Sequence, residues 1–305
     1  MIKPSQILYP TLLLFIAFCF SACKEEEDFS PTSTPSQYIT IPDENFEKNL
    51  IRQGIDSDST VNQKMLRSDA EKVKHLDLNA VQMTFKVLDL KGIEGFSQLR
   101  YLNASSQKLQ SVNLSQNKLL EVLMLSNNLI QQITLSSNTE LKSLGISGNT
   151  LHSINGLANL NRLKELYLSS NDLQQLNLLN DSLELLECSS NQLTSLDITK
   201  AKRLKTVAAI NNQLSSLELT NNSLLVNLIL AGNQFQEIDI SQNQNLQIFY
   251  VASNLLTELD VSHNQALIDL EVVQNPNLNC IKIGADQQIH HVSKDSHQNL
   301  STNCP

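Results

Sequence analysis

The chain has 305 residues and a net charge of −9, with 22 Lys and Arg against 31 Asp and Glu. A surface that neutralises nucleic-acid phosphates needs the opposite balance, and no basic stripe gathers along the sequence, so nucleic acid is excluded as a partner. Trp is absent, only 8 glycines occur, and Leu and Asn are abundant. That composition suits apolar rungs joined by polar turns better than two separately packed domains.

Residues 1–22 carry Lys3, an apolar run from Ile7 to Phe20, and the small residues Ser21 and Ala22 directly before Cys23. The run is interrupted at Pro10 and is too short to span a bilayer, so it reads as a signal peptide. Phe20-Ser21-Ala22-Cys23 resembles a bacterial lipoprotein signal, with Phe20 where Leu is usual. That resemblance implies cleavage before Cys23, acylation of Cys23 and attachment to the membrane through the N-terminal lipid. Lys24-Glu25-Glu26-Glu27-Asp28 is similar to the acidic signal that sends Bacteroidetes lipoproteins to the outer face of the outer membrane. The competing reading is a solvated charge run on a protein facing the periplasm. Residues 23–40, with Ser30-Pro31-Thr32-Ser33-Thr34-Pro35 among them, lack apolar periodicity and read as a flexible tether.

Residues 41–72 read as an N-terminal cap. Phe46, Leu50 and Ile51 share one face of a helix whose N-cap is Asp43 and whose stop is Gly54, and a second helical turn is expected at Ser68–Lys72. A solenoid needs such a lid, because an open first rung exposes apolar interior and strand edge. Asp56-x-Asp58-x-Thr60-x-Asn62 is spaced like the start of a calcium loop. The twelfth position is Arg67, where an EF-hand needs a bidentate Glu, and the glycine is missing, so the segment reads as a polar loop without a metal.

Residues 73–279 repeat. The spacing L-x-x-L-x-L-x-x-N-x-L-x-x-L-x-L starts at Leu99, Leu120, Leu141, Leu163, Leu183, Leu204, Leu225, Leu246 and Leu267, successive starts being 20 to 22 residues apart. So strict a period means a solenoid. Val73, Leu76 and Leu78 open a longer, irregular first turn. In each regular turn the first apolar pair, such as Leu186-x-Cys188, predicts a short strand, and adjacent turns then pair as a parallel sheet ~4.8 Å apart. The second half, such as Leu193-x-x-Leu196-x-Ile198, predicts a second extended face, because a turn this short leaves little room for helix. Asn128, Asn149, Asn171, Asn191, Asn212, Asn233, Asn254 and Asn275 fall where each turn leaves its strand, a place for a buried carboxamide to bond unpaired backbone. Gln107 stands there in the first regular turn, where a frayed end tolerates it.

Ile41-Pro42-Asp43 with Phe46 and Glu47, Gly54-Ile55-Asp56, Leu76-Asp77-Leu78, Gly92-Ile93-Glu94 with Phe96, the repeats, and Asn275-Pro276-Asn277-Leu278-Asn279-Cys280-Ile281 together carry a resemblance. Over residues 41–305 the chain resembles the secreted and lipid-anchored leucine-rich repeat proteins of flavobacteria and other Bacteroidetes. The resemblance implies a leucine-rich repeat solenoid with a parallel β-sheet on one face, mostly extended or irregular segments on the other, and a short α-helical N-terminal cap. It implies little about the ligand, since the ligands of such proteins are largely undefined. Many relatives carry Cys at the third rung position of several repeats; here only Cys188 does. Many also end in a secretion-sorting domain, which this sequence does not show before Pro305, so the lipid is expected to be the anchor.

Function is to be sought among the outward residues of the first strand. The position between the inward pair reads Asn103, Met124, Gly145, Tyr167, Glu187, Ala208, Ile229, Tyr250, Glu271. The position after the pair's second member begins as a serine series from Ser105 to Ser189, then becomes Ile210, Ala231, Ala252 and Val273. Tyr101, Met124, Tyr167, Glu187, Ile210, Ile229, Ile248, Tyr250 and Glu271 are the candidate partner-binding residues. Ile210, Ile229, Ile248 and Tyr250, flanked by Asp269 and Glu271, fit a protein partner, although β-propensity alone also favours Ile and Tyr on a sheet. A glycan partner is the alternative and would stack on Tyr101, Tyr167 and Tyr250.

Asp197, Glu218, Asp239 and Asp260 stack on the other half of four consecutive turns. Like charges at strand spacing repel, which raises the question of a cation, but splaying into solvent or accepting turn N–H groups is the favoured reading. His290, His291, Asp295 and His297 do not have metal-ligand spacing. With no phosphate loop, nucleophile elbow or acid–base pair, no catalysis and no cofactor are expected. Cys188 falls at an inward position as an inert thiol. Cys280 and Cys304 flank a C-terminal cap at residues 280–305, and in an exported protein they are expected to pair. The expectation is a lipid-anchored, surface-displayed, non-catalytic scaffold that binds a protein partner, with a carbohydrate-binding accessory lipoprotein or a structural envelope protein as alternatives.

Overall fold

One apolar residue flanked by outward neighbours recurs in every turn, and each such triplet forms a three-residue strand. The structure, a computed structural model, describes residues 36–79 and 85–304. The signal peptide, Cys23, the acidic run and most of the tether lie outside the described residues. Eleven triplets, from His75–Asp77 through Leu185–Glu187 to His291–Ser293, make one parallel sheet. Register aligns their central residues, so that Leu186 lies between Leu166 and Val207. Those centres are buried from Leu76 to Leu270, and with Leu183, Cys188, Leu193, Leu196 and Ile198 of each turn and their counterparts they form one continuous core. Burying each Leu side chain contributes roughly 1.5–3 kcal/mol, so the stack is held by nearest-neighbour contacts along its whole length.

The reverse half of the turns is extended in some and irregular in others. Gln132–Thr134 pairs with Ser153–Asn155, Gln175–Asn177 with Ser195–Asp197, and Leu259–Asp260, Cys280–Lys282 and Asn299–Ser301 form a third parallel set. Among the described residues no strand forms at positions 215–219 or 236–240. Residues 280–305, read as a terminal cap, thus carry three strands that extend both faces of the solenoid.

The bend after each strand is built twice over. Asn127, Gly148, Ser170, Ser190, Asn211, Gly232, Ser253 and Gln274 take left-handed backbone with φ between 53° and 69°. The following Asn turns inward. Asn191 Nδ2 donates to the carbonyls of Leu168 (3.0 Å) and Cys188 (3.1 Å), while its Oδ1 accepts from the Leu173 amide (3.1 Å). The same set recurs down the column. Gln107 is not a tolerated defect of a frayed end: its Oε1 accepts from Val87 N (3.0 Å) and its Nε2 donates to Ser105 O (3.2 Å), a longer arm doing the same work.

A second buried column escaped the sequence reading. Asn117, Asn138, Asn180, Asn222, Asn243 and Asn264 close the opposite corner, each fully buried. Asn222 Nδ2, for example, donates to Ile198 O (3.1 Å) and Ala201 O (2.9 Å). Their Oδ1 atoms have no hydrogen-bond partner.

At the N-terminal end, Tyr38–Thr40, read as the last of the tether, instead pairs antiparallel with Lys64–Leu66. Ile39 and Ile41 are buried there, an alternation that a tether does not need. The cap helix, Glu44–Arg52, starts at Asp43, whose Oδ1 accepts from the amides of Asn45 (2.9 Å) and Phe46 (3.0 Å). Its Oδ2 accepts from Leu88 N (2.6 Å) and Asp89 N (2.9 Å), so one carboxylate rivets the helix to the first turn. Gly54 follows the helix in left-handed backbone (φ 70°), and Arg67–Ala70 forms the second short helix. At the other end, Cys280 and Cys304 are joined as a disulfide with Cα atoms 5.7 Å apart.

Candidate functional site

Because each strand holds its central residue in the core, its two end residues face outward and line up across the sheet. Tyr101, Met124, Tyr167, Glu187, Ile229, Ile248, Tyr250 and Glu271 sit at such ends, and Ile210 lies two residues beyond one; all nine are half-buried by their lateral neighbours. The ladder register places Ile229 beside Tyr250, Ile248 beside Asp269, and Tyr250 beside Glu271.

Local contacts fix several of these side chains. Tyr101 stacks on His75 with ring centroids 4.1 Å apart. Met124 lies across Gly145, where an added Cβ would meet its sulfur at 2.7 Å. Gly145, expected outward, is buried beneath it, and Ser143 and Ala252 are buried as well. The Tyr250 hydroxyl donates to Asp269 Oδ2 (2.9 Å), and this bond, ahead of burial and the Asp269 and Glu271 charges, raises its pKa. Burial, then the charges of Glu165 and Glu187, raises that of Tyr167.

The face divides into two halves. One residue before the strands runs an ion-pair ladder. Glu121 accepts from both Arg100 and Lys142 at 2.5 Å, and Glu184 lies between Lys205 (2.8 Å) and Lys164 (3.4 Å). Lys142 with Arg100 holds the Glu121 carboxyl below its ordinary range, and Lys205 with Lys164 does so for Glu184. Past Lys205 the column becomes Val226, Gln247 and Ile268, the last 43% exposed. The serine column gives way to Ile210, Ala231, Ala252 and Val273, beginning one turn earlier, in the turn that still carries Lys205. Ile229, Ile248 and Tyr250 lie between these two columns, so a mostly apolar strip covers the C-terminal half and ends at Asp269 and Glu271.

The acid column on the reverse side is accounted for by its own backbone. Asp197, Glu218, Asp239 and Asp260 accept from the amides of Thr199, Thr220, Ser241 and Ser262 at 2.9–3.0 Å. The bonds from Thr199, Thr220 and Ser241 hold the first three carboxyls below their ordinary range. Burial pushes Asp260 up, but the Lys282 ammonium at 2.7 Å and Ser262 outweigh it, leaving a value of about 2. A cleft of about 850 Å³ opens here, lined by Leu217 and Ile238, where no reverse strand forms, and by Leu259 of the next one. Asp239 and Asp260 in its lining are already engaged, so it is a weaker candidate than the strand face.

Among the described residues no three His, Cys, Asp or Glu side chains converge at metal-binding spacing. His290, His291 and His297 are exposed, and Asp295 Oδ2 accepts from Gln274 N (2.7 Å). Burial pushes the Cys188 thiol up to about 12, which makes it unreactive.

No family model and no curated protein matches the chain. Solved structures do. The functional domain of InlJ from Listeria monocytogenes, described as including a cysteine ladder, is 19% identical with a TM-score of 0.56, over 87% of this chain and 72% of that one. The leucine-rich repeat domain of APL1B is 22% identical with a TM-score of 0.60, over 70% of this chain and 67% of that one. Internalin C2 from Listeria monocytogenes is 21% identical with a TM-score of 0.57, over 69% of this chain and 96% of that one. In place of a cysteine ladder this chain has Cys188 as the one free cysteine among the described residues. The repeat geometry and these likenesses together show that the chain has the leucine-rich repeat fold.

Proposed function

We propose that this protein is a recognition scaffold that binds a protein partner through the C-terminal half of its strand face, with no catalytic role. The observation that carries the reading is the change of two outward columns in adjacent turns, from ions and serines to Val226, Ile268, Ile210 and Val273, around Ile229, Ile248 and Tyr250. A rigid, half-buried apolar strip with an acidic edge is the kind of surface in which a few aliphatic and aromatic anchors carry binding. The repeat fold shared with the internalins supports an interaction role. Acylation at Cys23 and display on the outer face of the outer membrane complete the proposal; they rest on the sequence Phe20-Ser21-Ala22-Cys23 and the acidic run after it.

Pull-down with the full chain as bait, compared with an Ile229→Asp/Tyr250→Asp double variant, tests the face. The expected result is a partner retained by the parent chain and lost from the variant at unchanged thermal stability. Equal recovery by both sinks the assignment. Protease accessibility on intact cells tests display: protection of the repeat region would place the protein on the periplasmic side. The glycan alternative loses ground, because the ring of Tyr101 is covered by His75 and the hydroxyl of Tyr250 is engaged by Asp269.

A further inference from the structure

Among the described residues of the N-terminal cap, three carboxylate oxygens on two buried acids lack a hydrogen-bond partner. Asp56 is 1% exposed and neither of its oxygens has a hydrogen-bond partner. Glu47 is 0% exposed; its Oε1 accepts from Asn62 N (3.0 Å) and Lys64 N (3.1 Å), while its Oε2 has no partner. The Asp58 amide faces the Asp56 carboxylate without reaching hydrogen-bond geometry. The acids around Asp56 do not relieve it. Asp58 is turned to Thr60 N and Asn62 Nδ2, and Asp69 to Ser57 and Lys72.

An uncompensated buried carboxylate costs several kcal/mol, and a second nearby adds repulsion. Burial first, then the charge of Asp58 and those of Glu47 and Asp69, pushes the Asp56 carboxyl up to about 6. Such a group has two remedies in water near neutral pH: a proton or a cation. Ser59 and Gln63 both take left-handed backbone, with φ of 57° and 63°, in the oxygen-rich segment 57–63, which the Asn62 amide ties to Glu47 Oε1.

We propose that Asp56 and Glu47 hold a calcium ion in the N-terminal cap, with main-chain carbonyls and water completing its shell. Calcium takes oxygen ligands in flexible geometry and accepts mixed carboxylate, carbonyl and water coordination, so a site with two acids is within its chemistry. The site is not an EF-hand: position twelve is Arg67, and the second carboxylate comes from the cap helix rather than from the loop. The ion would fasten the loop to the helix that closes the first rung, which makes it a structural device independent of the binding face.

The test is calorimetric titration and thermal melting of the full chain, stripped with EDTA and then given calcium chloride, with magnesium chloride in parallel. The expected result is one calcium per chain, a rise in the melting midpoint that saturates, and a weaker magnesium response. Asp56→Asn and Glu47→Gln should each abolish the calcium response, whereas Asp239→Asn on the reverse face should leave it intact. Absence of heat and of any midpoint shift up to ten times the ~1 mM typical of weak extracellular calcium modules overturns the proposal. So does calcium binding that survives Asp56→Asn, or an Asp56→Asn chain that is more stable than the parent with no calcium response in either, which is the signature of a buried proton. If both variants fail to fold, hydrogen exchange on the parent chain decides: calcium-dependent protection must centre on residues 47 and 56–64, and protection elsewhere overturns the assignment.

Discussion

Replacing Asn191 by Ala and Asn222 by Ala should have unequal costs, although both delete a buried Asn at a bend. Asn191→Ala leaves the Leu173 amide without its acceptor and takes one donor each from the Leu168 and Cys188 carbonyls, which keep Asn171 Nδ2 and Asn212 Nδ2. A stranded buried N–H costs ~1–3 kcal/mol, and a carbonyl that keeps its second lone pair available costs less, so the sum is about 2–4 kcal/mol. Asn222→Ala strands no amide: the Ile198 and Ala201 carbonyls keep the amides of Ala201 and Leu204, and the Oδ1 that is removed already lacked a partner. Its cost should be about 0.5–1.5 kcal/mol. Urea unfolding followed by far-ultraviolet circular dichroism gives the two values, with Gln192→Ala as an exposed control expected within ~0.5 kcal/mol of the parent. Hydrogen exchange gives a local check: the Leu173 amide should exchange faster only in Asn191→Ala. Equal costs for the two, or less than about 1 kcal/mol for Asn191→Ala, would refute the assignment of the amide acceptor as the main energetic role of the first column.

Asp43→Ala should destabilise by about 2–4 kcal/mol, since it removes a helix cap and the charged acceptor of the Leu88 and Asp89 amides; thermal melting reads the loss, and Asp43→Asn should fall in between. Replacing Cys280 and Cys304 by Ser opens a loop with a sequence separation of 24 and should cost about 3 kcal/mol, with faster exchange confined to residues 280–304. Asp260, at about 2 in the folded chain against about 3.9 unfolded, has a depressed value, so its contribution is present above the unfolded pKa and disappears as pH falls from about 4 through about 2. Its side chain is 41% exposed, so screening holds the contribution below about 1 kcal/mol. The urea midpoints of Asp260→Asn and the parent should therefore differ at about pH 5 and converge at about pH 2; a difference that persists in acid counts against the Lys282 pairing.

The inward letters were readable because each turn imposes the same demand on them: Leu183, Leu186, Cys188 and Leu193 all face one narrow core. The first Asn column was readable for the same reason, since it occurs at one offset in eight consecutive turns. The second column was not. It lies three residues before six of the nine repeat starts, but Leu160 and Ala201 interrupt it, and nearby Asn113, Asn221 and Asn245 blur it. What distinguishes it is tertiary: Asn222 bonds carbonyls 24 and 21 residues upstream. Alternation told which strand residues face outward, but not which of them are covered. That Met124 shields Gly145, or that His75 covers Tyr101, depends on which side chain lies across the ladder. The unpartnered Asp56 is the same case in the cap, where a spacing argument found a polar loop and only burial shows that its first carboxylate has no solvent to turn to.

The division of the strand face says more than any residue in it. β-propensity explains Ile and Tyr on a sheet, but it acts on every strand alike and gives no reason for two separate columns to change in adjacent turns. Packing gives no reason either, since the inward positions stay apolar and buried through the same turns. In the N-terminal half, the two cations on Glu121 and the two on Glu184 neutralise the face within itself and leave it wetted. In the C-terminal half that internal pairing stops, and Ile210, Val226, Ile229 and Ile248 occupy positions where serines and ions would serve solubility better. A sheet with only a structural role gains nothing from that exchange and loses solubility by it. On the proposed binding role, a sheet that must release water to a partner would gain buried apolar area, and the acidic margin at Asp269 and Glu271 would favour a partner whose apolar contact is bordered by positive charge.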